Sequence, residues 1–259
     1  MKPSEMLTLA DKPVSWCVPD FIADHSLIVL AGEPGQGKST FSYNLSVGLA
    51  GGLEVLGKPT TASRVLYFDQ ENSFPDACRY LQWAWYGHEQ KPDLSLLDTN
   101  LRIDHFTLGG ANWAERMRKA AQEFRPRLII VDTATPAFAI AKEEDNGEAA
   151  RAITKLRGIQ AEFQTALLIL KHEKIRDVGA PGGTRRRTIR GAKTWEGSPD
   201  GFVFYVKRPG RPGKDGLSRG ILEPGKVRAY GLRKAIGILP TFTHDGRGLH
   251  LAVEPAEAP

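Results

Sequence analysis

Residues 32 to 40, GEPGQGKST, constrain the fold of this chain more than any other segment. They follow the apolar run LIVLA and lead into an amphipathic stretch. The spacing satisfies G-x-x-x-x-G-K-[ST]. Gly32, Gly35 and Gly37 let the backbone wrap closely with its N–H groups pointing inward, and Glu33, Pro34 and Gln36 complete the loop. The helix that follows adds the positive end of its dipole. A turn of this kind, closed between a strand and a helix, is a cradle for phosphate oxygens.

Each remaining position of the loop has a distinct task. Lys38 places a point charge on the β and γ phosphates, the Ser39 hydroxyl is a ligand for Mg²⁺, and Thr40 lines the α phosphate. The expected cofactors are therefore ATP and Mg²⁺. A cradle of this type needs an acidic group on a neighbouring strand. RLIIVDTATP supplies Asp132 at the end of an apolar run, a Walker B candidate for the Mg²⁺ hydration shell. Thr133 follows it, not Glu, so the carboxylate that polarises the attacking water must come from elsewhere.

Short apolar runs alternate with longer amphipathic ones from about residue 25 to 172, the grammar of a mostly parallel sheet covered by helices on both faces. Strands are expected at 27–31, 64–69, 101–106, 128–132 and 166–170, and helices at 38–49, 75–86, 112–124 and 147–163. Beyond 172 the pattern changes. A Gly/Arg/Thr-rich loop, 173–190, leads to a short helical piece near Lys193. GFVFYV, RGILEP, KVRAYGL and GLHLAV then read as antiparallel strands extending the same sheet. The expected layout is a lead segment over 1–20, one α/β domain over 21–252 and a flexible tail over 253–259.

Charge is segregated. Residues 171 to 234 hold 17 Lys and Arg against 6 Asp and Glu, while the whole chain carries only +5. A basic stretch in an otherwise acidic protein is either a solvated face or the footprint of a polyanion partner, nucleic acid first. No run approaches the length of a membrane span, and MKPSEMLTLADKP lacks the basic-then-apolar order of a signal peptide, so a cytoplasmic protein without membrane contact is expected. Cys17 and Cys78 are too few for a disulfide framework and read as small buried or half-buried hydrophobes. Trp113 and Trp195 read as core. Trp83 and Trp85, two apart, cannot share a helix face.

In order and spacing, several segments resemble the RecA and DnaB branch of P-loop proteins, most closely the RepA-like hexameric helicase ATPases. These are PDFIADHSLIVLAGEPGQGKST, VLYFDQENS, LIIVDTATPAF, EEDNGEAA, ALLILKHEK, IRGAKTWEGSPDGFVFYV and GKVRAYG, over roughly residues 18 to 250. The resemblance implies a RecA-like fold. It makes Glu71 the base that activates water and His172 the polar sensor of the γ phosphate. It turns the loop carrying Lys174, Arg176, Arg185, Arg186, Arg187 and Arg190 toward the phosphates of single-stranded DNA. Lys226 and Arg228, two apart on a strand, are similar to the pair such ATPases insert into a neighbour's nucleotide, with Arg208, Arg211 and Arg233 as competing candidates. A homo-oligomer, a hexameric ring, follows from that role. The alternatives are a RecA-like recombination or strand-annealing protein and a regulatory ATP-binding assembly module.

Overall fold

A computed structural model of the chain describes residues 2–177, 185–207, 217–227 and 231–255. A first helix, α1 (Pro3–Ala10), precedes a two-stranded ribbon of β1 (Trp16–Val18) and β2 (Ile22–Ala23). There follow β3 (Leu27–Gly32), α2 (Lys38–Gly51), β4 (Val65–Asp69), α3 (Phe74–Gly87), α4 (Leu94–Asn100) and β5 (Leu101–His105). Next come α5 (Trp113–Phe124), β6 (Leu128–Asp132), α6 (Ala134–Ala137), α7 (Asn146–Phe163) and β7 (Ala166–Asp177). The chain continues through β8 (Arg185–Ile189), α8 (Thr194–Gly197), β9 (Gly201–Lys207), β10 (Gly220–Val227), β11 (Ile236–Phe242) and β12 (Leu249–Pro255).

The sheet runs in the order β12-β11-β10-β9-β3-β7-β6-β4-β5, with β8 paired to β7 outside that path. The strands from β5 to β9 are parallel, and β10, β11 and β12 extend the sheet antiparallel. The α/β class expected from the sequence is therefore the observed one. β3, β4 and β6 are buried at every position, because helices cover both faces and neither can be polar. Leu27, Val29 and Ala31 enter one core with α5 and α7, while Ile28 and Leu30 enter the other with α2. Trp113 and Trp195 are core residues, as expected. Cys17 is buried, but Cys78 lies exposed on α3.

Caps set the helices that frame the site. α2 is capped by Gly37 with φ 104° and by Gly52 with φ 66°, left-handed values that glycine adopts without steric cost. Ser73 caps α3 by accepting from Asp76 N, and Asp145 caps α7 by accepting from Gly147 N and Glu148 N.

Three sequence expectations need correction. The 173–190 segment is not an open loop: β7 runs on to Asp177 and pairs antiparallel with β8, from Glu173↔Ile189 to Asp177↔Arg185. Thr188 and Ile189 are β-branched residues suited to such a ladder, and Ile189 enters the core, so the segment does pack. ILEPGKV is one strand, β10, which absorbs Pro224 through a register shift between Pro224 and Lys226. β11 is a strand the sequence reading missed. Its Pro240 lies beyond Ile236–Ile238, the stretch paired with β10, so its absent N–H breaks no bond of that ladder.

Candidate functional site

The glycine turn closes at the C-terminal edge of β3, between β7 and β9. A methyl group on Gly32 would come within 2.6 Å of the Tyr205 carbonyl oxygen, so only glycine lets β9 approach this closely. Lys38 is buried, and its Nζ donates to the Gly32 and Glu33 carbonyls at 2.9 Å each. Burial pushes the Lys38 ammonium down. The carboxylates of Asp132, Glu71, Glu173 and Glu33 act against that shift, so four acidic groups face one cation.

β6 carries Asp132 to the same edge, in register with Asp69 on β4. Asp132 is buried, and its Oδ2 accepts from Tyr67 OH at 2.9 Å and from Asn72 Nδ2 at 3.4 Å. The Ser39 hydroxyl favours the charged form of its carboxylate. Burial pushes Asp132 up to about 6. Its Oδ1 is buried without a hydrogen-bond partner among the described residues. A buried, orphaned carboxylate oxygen beside a serine hydroxyl is an oxygen donor set that suits Mg²⁺.

Glu71 lies on the turn between β4 and α3, with its side chain 39% exposed and Oε1 3.6 Å from His172 Nε2. His172 stands opposite Gly32 in the β3–β7 register. Burial and then the Lys38 charge hold its imidazole below the usual range. The structure thus brings Lys38, Ser39, Glu71, Asp132 and His172 together from three elements, α2, β6 and β7, and one turn. The remaining loop positions, Glu33, Pro34, Gly35, Gln36, Gly37 and Thr40, surround them, with Gln36 Nε2 donating to Glu33 Oε2 at 2.6 Å.

The basic residues are distributed differently. Lys174, Arg176, Arg185, Arg186 and Arg187 lie on the two strands of the β7–β8 hairpin, and Arg190 follows it. Arg187 Nη1 lies 3.5 Å from the buried Glu173 carboxylate and its Nε 3.8 Å from Glu223. Arg190 Nε is 2.8 Å from Glu143, and Lys174 reaches Glu144 at 3.8 Å. Three of the proposed DNA contacts, Lys174, Arg187 and Arg190, are thus engaged within their own chain. Lys226 donates to the main-chain carbonyls of Glu196, Gly197 and Pro199, where it closes the end of α8. Arg228, Arg208 and Arg211 lie outside the described residues, and Arg233 is exposed.

Sequence reasoning missed a second acidic centre, Asp69. It is fully buried and accepts from Tyr43 OH at 2.8 Å, from Glu71 N at 3.2 Å and from Asn72 N at 3.0 Å. The signal was its place at the end of an apolar run beside Asp132. Glu143 was also missed: it accepts from Thr135 Oγ1 at 2.7 Å and pairs with Arg190, joining the chain after Asp132 to the base of the hairpin.

A family model described as an AAA domain matches residues 4–176, well over half of the chain. No curated protein matches.

Proposed function

The chain belongs to this AAA domain family, an ATPase of the P-loop type, and from that premise we propose that it is a RepA-like hexameric helicase that hydrolyses ATP to act on single-stranded DNA. One observation carries the reading. β7 is a continuous strand that bears His172 at the phosphate edge and then, without interruption, Lys174 and the basic hairpin. A change sensed at the γ phosphate by His172 is thereby transmitted along a rigid element to cations suited to a nucleic-acid backbone.

In this reading Glu71 takes a proton from the attacking water, and Lys38 stabilises negative charge developing on the transferred phosphoryl group. Ser39 and Asp132 would hold Mg²⁺, which would supply positive charge against the triphosphate. Burial of Asp132 and Lys38 lowers the local dielectric and strengthens each of these interactions. A basic group from a neighbouring protomer, Arg228 in the first instance, completes the charge complement, so an isolated subunit turns over slowly.

A second reading is favoured by the ion pairs of Arg187 and Arg190 with Glu173 and Glu143. In a regulatory ATP-binding assembly module those arginines only brace the hairpin. ATP turnover measured with and without single-stranded DNA, alongside the mass of the assembly, separates the two. Stimulation by DNA in a hexamer supports the helicase; DNA-indifferent turnover supports the module.

A further inference from the structure

We infer that Asp69 is the positioning residue that holds the Glu71 turn against the phosphate-binding helix. The inference rests on the assignment of Glu71 as base and assigns a role to a residue outside the loop motifs.

The Asp69 side chain is wholly buried, yet its carboxylate oxygens are heavily bonded. Oδ1 accepts from Glu71 N at 3.2 Å, Asn72 N at 3.0 Å and Asn72 Nδ2 at 3.1 Å. Oδ2 accepts from Tyr43 OH at 2.8 Å and Asn72 Nδ2 at 3.0 Å. Tyr43 lies on α2, little more than a turn beyond Lys38. One carboxylate therefore ties the main chain of the glutamate turn to the helix whose N-terminus receives the phosphates.

The rest of the turn is pinned as well. Gln70 N donates to Asp132 O at 2.5 Å, Gln70 Oε1 accepts from Leu108 N at 3.0 Å, and the Asn72 carbonyl lies 2.8 Å from His105 Nε2. Of Gln70, Glu71 and Asn72, only the Glu71 side chain is exposed, and it reaches toward His172. A fixed main chain beneath a base limits how far its carboxylate can be misplaced, and misplacement of a reacting group by about 1 Å costs roughly 10²-fold in rate. A buried carboxylate is also costly unless it is fully bonded, and both Asp69 oxygens are, to the 71–72 turn on one side and to α2 on the other.

The test compares kcat, KM and ATP affinity for the full-length parent, Asp69→Ala, Asp69→Asn, Glu71→Gln and the double variant Asp69→Ala/Glu71→Gln. Asp69→Ala is expected to lose about 10²-fold in kcat with ATP affinity held within about threefold. Asp69→Asn, which keeps the Oδ1 acceptor, is expected to recover at least about tenfold of that loss. In the Glu71→Gln background the Ala substitution should cost nothing further, because Asp69 acts through Glu71. A loss confined to ATP affinity, or an equal loss in both backgrounds, overturns the role. If the Ala variant does not fold, Asp69→Glu decides: it keeps the charge but shifts the turn by one methylene, and parental turnover would overturn the role. Inactive Glu71→Gln beside fully active Asp69→Ala overturns this inference alone, whereas full turnover by Glu71→Gln removes the base and this role with it.

Discussion

His172 Nε2 on β7 lies 3.6 Å from Glu71 Oε1 on the turn after β4, so the two groups meet across the intervening β6 at the phosphate edge of the sheet. The imidazole is held below its ordinary range by burial and by Lys38, against the opposing pull of Glu71. At neutral pH the imidazole is therefore uncharged, and it meets Glu71 without a full ion pair. His172→Ala is expected to bind ATP as the parent does and to lose stimulation by single-stranded DNA. Titrating DNA into an ATPase assay checks this, and undiminished stimulation assigns the sensor to another group.

The hairpin arginines divide into two sets. Arg185→Ala with Arg186→Ala should flatten the dependence of log Kd for single-stranded DNA on log salt by about 1.4, at roughly 0.7 per phosphate contact. Arg187→Ala removes the partner of the buried Glu173 carboxylate and should instead lower folding stability by about 1–3 kcal/mol. Salt-dependent binding isotherms and urea unfolding separate the two effects. An unchanged slope for the first pair would take the hairpin out of the DNA path.

His88 couples stability to pH. Burial holds its imidazole below the ordinary 6.5, and the ring nitrogen Nε2 lies 3.3 Å from Asn44 O. The unfolded chain takes up this proton near pH 6.5 and the folded chain only at lower pH. The contribution is thus intact above about 6.5, is lost as pH falls between the two values, and levels off below the folded one. Unfolding measured at pH 7.5 and about 5.5 should show a loss that His88→Gln reduces. An identical pH response in parent and variant would contradict it.

Gly32→Ala should disable the cradle by sterics. Its methyl group would sit 2.6 Å from the Tyr205 carbonyl oxygen, and main chain cannot yield as a flexible side chain can. A stability loss of about 1–3 kcal/mol with loss of ATP binding is expected, read by thermal melting and nucleotide titration. Parental binding would show that β9 can move away.

Much of this was legible in the sequence because the relevant signals are local. The glycine turn, its flanking strand and helix, and Asp132 at the end of LIIVD are contiguous patterns whose geometry follows from residue type. The β7–β8 hairpin was not legible, since a run of arginines reads as solvated chain until Ile189 is seen in the core and Arg187 against Glu173 and Glu223. Lys226 looked outward for the same reason, although its ammonium is engaged by the carbonyls that end α8. Asp69 escaped because its partner Tyr43 is brought to it by the placement of β4 beside α2, while its bonds to the main chain two and three residues on read as an ordinary turn cap.

The central claim is that a carboxylate on the turn after β4 activates water for attack on a triphosphate held at residues 32 to 40. Single-turnover hydrolysis of terminally labelled ATP by assembled Glu71→Gln protein tests it most directly, with bound nucleotide and released phosphate read from the same sample. The account predicts parental ATP binding and phosphate release slowed by about 10²- to 10⁴-fold. Release at the parental rate from fully bound protein would contradict it.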